Sequence, residues 1–107
     1  MLDNKELKDY IMEQLFDLKD VRNIPMMGGY IFYYKEKIIG GIYGKGFMVK
    51  ITDASRKYIP DCEAELPYEG AKPMFLVTIL EDRELLQKMV QEMYDELPER
   101  APKKKRR

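Results

Sequence analysis

The chain has 107 residues, one cysteine and no histidine, and its 19 basic side chains balance 19 acidic ones. That length supports one domain with one modest core. The missing histidine removes the commonest general base, and Ser-His, Cys-His and His-metal chemistry go with it, while Cys62 has neither a disulfide partner nor neighbours at zinc-ligand spacing.

Residues 3 to 18 read as an amphipathic helix. Asp3 caps it, Glu6 completes a capping-box pair, and Leu7, Tyr10, Ile11, Leu15 and Leu18 recur at helical spacing. Pro25 interrupts the next stretch, so residues 21 to 25 are a connection or a strand edge. The period then changes. Tyr30, Phe32 and Tyr34 alternate with Ile31 and Tyr33, a strand that is apolar on both faces and hence covered on both. Lys35 to Lys37 form a polar turn. Ile38, Ile39, Ile42 and Tyr43 belong to a second strand, Gly44 to Gly46 to a tight turn, and Phe47, Val49 and Ile51 to a third strand. Short turns between three strands make an antiparallel meander, because parallel strands need a long crossover.

Thr52 to Pro60 is a short helix, with Thr52 or Asp53 as its cap. Two strand-like pieces come next, one ending around Tyr68 and the other spanning Met74 to Leu80. Gly70 and Pro73 punctuate the turn between them. Leu85, Leu86, Met89, Val90, Met93, Tyr94 and Leu97 form the apolar stripe of a last helix over 81 to 97, which Pro98 ends. The fold class expected is α+β, two-layered, with an antiparallel sheet and the order α-β-β-β-α-β-β-α. Residues 1–98 form the single domain and residues 99–107 a disordered basic tail. Without the final "KKKRR", 14 basic residues face 19 acidic ones, so the body carries no broad positive field.

At "MMGGYIFYYKEKIIGGIYGKGFMVKITD" the sequence resembles the N-terminal domain of the TfoX/Sxy competence-regulator family. Met26-Met27-Gly28-Gly29-Tyr30 is similar to the family's Met-aromatic-Gly-Gly-Tyr opening. Tyr68-Glu69-Gly70 and Lys72-Pro73-Met74 are similar to its Tyr-Glu-Gly and Lys-Pro-Met pieces. The likeness spans about residues 3 to 97. It implies a two-layer α+β domain with a non-enzymatic role, linked in that family to competence genes and a cyclic-AMP-responsive activator. Longer family members carry a second domain where this chain has the basic tail.

Four features bear on function. The glycines Gly41, Gly44 and Gly46 spell G-x-x-G-x-G between two strands, the reverse of the dinucleotide fingerprint, and Lys45 is followed by Gly46 and Phe47 rather than Ser or Thr. They read instead as structural. Gly44 and Gly46 supply positive φ at a hairpin, Gly28-Gly29 and Gly40-Gly41 leave room for a helix or an aromatic ring, and Gly70 and Pro73 shape a turn. Tyr30, Phe32, Tyr33, Tyr34 and Tyr43 could form a base-stacking platform, but the nearest cations sit in turns, so core on one face and a partner interface on the other is preferred. Glu63, Glu65 and Glu69 read as a solvated strand face rather than a metal site. Lys103, Lys104, Lys105, Arg106 and Arg107 are candidate phosphate contacts without sequence readout.

No apolar run approaches the ~18 residues of a membrane span, and the charged opening "MLDNKELKDY" is no secretory signal. The expectation is a cytoplasmic, non-enzymatic regulatory or interaction protein that uses no cofactor or metal. It contacts protein partners, homodimerises through spare aromatic sheet surface, and binds nucleic acid weakly, if at all, through its tail.

Overall fold

The structure is a computed structural model that describes residues 3–26 and 28–98. Its elements run α1 (Asn4–Gln14), β1 (Val21–Met26), β2 (Gly29–Tyr34), β3 (Lys37–Tyr43), β4 (Gly46–Val49), α2 (Asp53–Tyr58), β5 (Ala64–Glu65), β6 (Met74–Leu76) and α3 (Arg83–Met93), with a 3₁₀ turn over Tyr94–Glu96. The class is α+β. Six antiparallel strands lie in the order β1-β2-β3-β4-β6-β5.

The helices share one face of the sheet. Ile11 and Leu15 from α1 and the turn after it, Ala54 from α2, and Leu86, Met89, Val90 and Met93 from α3 bury themselves with Phe32, Tyr34, Ile42, Phe47, Val49 and Phe75 of the strands. Phe32 and Phe47 meet edge to face with ring centroids 5.4 Å apart, a geometry that favours the ring quadrupoles. Strand alternation turns Ile31, Tyr33, Met48 and Met74 to the opposite face. These four are also buried, yet stand outside the main core cluster.

Segment 21 to 25 proves to be part of a full strand. β1 pairs with β2 along its whole length, from Val21 opposite Tyr34 to Met26 opposite Gly29. Pro25 is accommodated because β1 is an edge strand, so its missing N–H interrupts no ladder on the outer side. The meander therefore has four strands, one more than expected.

α1 is shorter than its apolar spacing suggests. It stops at Gln14, and Asp20 takes φ 65° as the chain turns into β1. Leu15 still reaches the core from the turn. The carbonyls freed at the helix end are taken up by α3: Arg83 donates to the Glu13 carbonyl at 3.1 Å and Gln87 to that of Gln14 at 2.7 Å.

The β2–β3 turn holds two residues, not three. Lys35 and Glu36 both have positive φ (50° and 72°), the signature of a type I′ hairpin normally built from Asn-Gly. Lys37 opens β3 as a buried residue. Its Nζ donates to the Tyr94 carbonyl at 3.0 Å and lies 4.0 Å from the centre of that ring.

At the other end of the chain, β6 stops at Leu76, and α3 gives way after Met93 to the 3₁₀ turn. The Asp3–Glu6 capping box forms, and of the two candidate caps of α2 it is Thr52 that serves, in a second capping box with Ser55. The tail, residues 99–107, lies outside the described residues.

Candidate functional site

The sheet carries a groove at the end where β2 begins and β3 turns into β4. Its floor and walls come from four separated stretches: Asn4 of α1, Met26, Gly28, Gly29 and Ile31 around the β1–β2 turn, Ile42, Tyr43 and Gly44 at the end of β3, and Pro67 with Tyr68 from the loop after β5. The volume is about 240 Å³.

Local chemistry explains the shape. Asn4 donates from Nδ2 to the Gly28 carbonyl at 2.8 Å, tying the helix start to the turn. Gly28 takes φ 82°, a conformation that favours glycine. Tyr43 and Tyr68 form the opposite wall, their ring centroids 5.8 Å apart and their planes inclined at 48°. Burial, and then the neighbouring Tyr68, holds the Tyr43 phenol above its ordinary pKa, so it stays neutral. None of the lining side chains is charged. The Lys45–Glu65 ion pair, 2.6 Å, connects the β3–β4 turn to β5. Of the exposed large apolar residues, Met26 and Tyr68 line the groove, Ile24 pairs with the lining residue Ile31, and Leu66 precedes the lining residue Pro67.

The glycines differ in what they do. A Cβ at Gly29 would stand 2.0 Å from the Ile42 carbonyl oxygen, and one at Gly40 the same distance from that of Met48. Neighbouring strand backbone, not a helix, fills the room they leave. At Gly41 the obstacles are the Tyr30 carbonyl oxygen and the ring of Tyr43. Gly46 and Gly70 take positive φ (128° and 88°), whereas Gly44 does not and has open space around it. Of the β3–β4 hairpin pair, therefore, only Gly46 supplies the backbone freedom expected of both. Pro73 leads directly into β6.

The aromatic residues do not share one platform. Phe32 and Tyr34 lie beneath the helices, and Tyr33 is buried with the Arg22 guanidinium 4.3 Å from its ring centre. Tyr30 is half-buried, with the Lys8 ammonium 5.6 Å away. Only Tyr43 joins the groove.

Glu63 and Glu69 are exposed, while Glu65 is engaged by Lys45. Among the described residues no group of three or more His, Cys, Asp or Glu side chains is placed to hold a metal ion. Cys62 donates its thiol to the Leu76 carbonyl at 2.9 Å. Lys103, Lys104, Lys105, Arg106 and Arg107 lie outside the described residues.

Asn4, Pro67 and the apolar rim carry no distinguishing signal in the sequence. The only local pointer to the groove is the Gly28-Gly29 pair followed by alternating aromatics.

No family model matches this chain, and no solved structure matches it. It is 28% identical over 96 residues to a protein of Spirochaeta aurantia, covering 89% of this chain and 84% of that one. That relative is described as an uncharacterised 12.7 kDa protein in the trpE 5′ region. Among the described residues no helix is long and apolar enough to cross a membrane.

Proposed function

We propose that this chain is a non-enzymatic regulatory or interaction protein of the TfoX N-terminal type, acting in the cytoplasm through protein contacts. The observation that carries this reading is the uncharged, aromatic-walled groove at one end of the sheet, lined in part by exposed Met26 and Tyr68, with exposed Ile24 paired to its lining residue Ile31 and exposed Leu66 next to its lining residue Pro67. Interface centres are depleted of charge and rich in Tyr and Met, and a groove of this kind seats one anchoring side chain. Sites for small molecules run to about 300–1,000 Å³ and enclose most of their ligand. This groove is smaller and open to solvent, which favours a protein segment over a nucleotide. The tie to competence or transcription rests on the sequence resemblance alone.

The test is recovery of partners from the host with the intact chain and with Tyr68→Asp. The reading expects a protein that the intact chain retains and the variant loses. Equal recovery by both would remove the groove from the contact. The alternative role, phosphate binding through residues 103–107, is tested by comparing nucleic-acid binding of the full chain with that of a chain ending at Pro102. Loss of binding on truncation supports the tail mechanism.

A further inference from the structure

β1 ends the sheet on one side, and the direction of its outer backbone groups follows from the ladder. Val21 lies opposite Tyr34, so Asp20 lies opposite Lys35, and the Lys35 N–H donates to the Asp20 carbonyl at 3.0 Å. Bonded pairs alternate with unbonded ones along an antiparallel ladder. Arg22, Ile24 and Met26 therefore direct their N–H and C=O groups to β2, while Val21, Asn23 and Pro25 turn theirs outward. Proline has no N–H, which leaves two outward donors, at Val21 and Asn23, and three outward acceptors. Among the described residues none of these groups has a hydrogen-bond partner. The opposite edge, β5, is only two residues long.

This edge is continuous with the groove. A depression of about 340 Å³, lined by Asn4, Pro25, Met26, Gly28, Gly29 and Tyr30, shares Asn4, Met26, Gly28 and Gly29 with it. We infer that β1 receives an extended segment of a partner protein, which adds a further strand to the sheet and enters the groove where it leaves the edge. Donors and acceptors repeated at every second residue are the complement of another extended backbone. Exposed Ile24 and Met26 share one face of β1, so the segment's side chains beside them are apolar. Three outward acceptors call for three N–H groups, and a partner segment without proline supplies them. A second copy of β1 offers only two, so a β1–β1 pair would leave a carbonyl of each copy unmatched. Pro25 accepts without donating and so marks the end of the ladder, next to the depression. The inference rests on the reading of the groove as a protein-contact site and names the form of its partner.

The experiment compares the full chain with Asn23→Pro and Asn23→Thr. Pro25 shows that this edge accepts proline at an outward position, and circular dichroism verifies that both variants are folded. The proline variant removes an outward donor and sets a ring in the path of the added strand, whereas the threonine variant keeps the amide. Partners are recovered from the host with each chain, and residue-resolved amide hydrogen exchange is followed in the free chain and in the purified complex. In the free chain the Val21 and Asn23 amides should exchange readily, and those of Arg22 and Ile24 slowly. In the complex, Val21 and Asn23 should exchange at least about 10-fold more slowly than before. Asn23→Pro should bind that partner at least about 10-fold more weakly, with Asn23→Thr unchanged. The inference is overturned if no partner is recovered, if Asn23→Pro folds and binds as the intact chain does, or if Val21 and Asn23 gain no protection in the complex. Protection of these two amides in the chain alone, rising with its concentration, would make a second copy the occupant and overturn it too. The exchange measurement needs only the intact chain, so it decides the matter whether or not the proline variant folds. A partner lost by Tyr68→Asp and kept by Asn23→Pro would leave the groove reading standing without the added strand.

Discussion

Glu96, in the 3₁₀ turn after α3, clamps the start of α2. Its Oε1 accepts the Asp53 N–H at 2.7 Å and its Oε2 the Ala54 N–H at 3.0 Å. The Thr52 hydroxyl takes the next donor, Ser55 N–H, at 3.0 Å. Together they satisfy the first three N–H groups of a helix too short to be stable alone. Glu96→Ala removes two of these acceptors. Water replaces the bond at exposed Asp53 at little cost. Ala54 is only 5% exposed, so its N–H is hard to rehydrate, and an unsatisfied buried donor costs about 1–3 kcal/mol. The expected loss is about 2 kcal/mol, the upper part of the range for lost helix caps. In a domain of this size that is a fall in Tm on the order of 10 °C. Urea unfolding measures it as a lowered midpoint at unchanged slope. Glu96→Gln keeps one acceptor oxygen and should fall between the two. A loss below about 0.5 kcal/mol for the alanine variant, or a glutamine variant equally damaged, would refute the clamp.

Gly40→Ala drives a Cβ against the Met48 carbonyl and should cost about 3 kcal/mol, whereas Gly44→Ala, in open space without positive φ, should stay within about 0.5 kcal/mol; thermal melts of the pair check the contrast. Converting Lys35-Glu36 to Asn-Gly relieves two left-handed residues at about 1–2 kcal/mol each. Glycine entropy and loss of the exposed Arg22–Glu36 pair offset part of this, leaving a net gain of about 1 kcal/mol in urea unfolding. Burial, and secondarily the like charge of Lys72, holds the Lys50 ammonium below its ordinary pKa. The folded state therefore binds that proton less tightly than the unfolded one. This contribution to stability rises with pH between the lowered folded value and the usual 10.5. Lys50→Met should raise Tm at neutral pH and abolish that alkaline rise, and Tm measured from neutral to alkaline pH tests both.

Local patterns carry much of the fold. The stripe from Leu85 to Leu97 places the last helix, since side chains three and four apart share one face. Strict alternation across Tyr30–Tyr34 places a strand, and its two apolar faces correspond to two buried ones. Where one residue type serves two uses, sequence and structure part. Leu15 and Leu18 extend the helical period past Gln14, but an apolar side chain can reach a core from a turn as well as from a helix. Pro25 leaves residues 21 to 25 open between a connection and a strand edge, and the position of β1 at the sheet edge decides for the strand. Lys35 and Glu36 carry no Asn-Gly signal, so the tight turn is hidden and Lys37 reads as part of it.

The sequence by itself determined the α+β class, the Asp3–Glu6 capping box, three strands of the meander and the absence of histidine chemistry, because each is set by composition or by residues close to one another in the chain. Only the tertiary structure decided that β6 lies between β4 and β5, that α3 side chains cap α1, and that Asn4, Gly28, Tyr43 and Tyr68 meet around one groove. These contacts join stretches far apart in the chain, and they exist only once burial of the shared core has brought the stretches together.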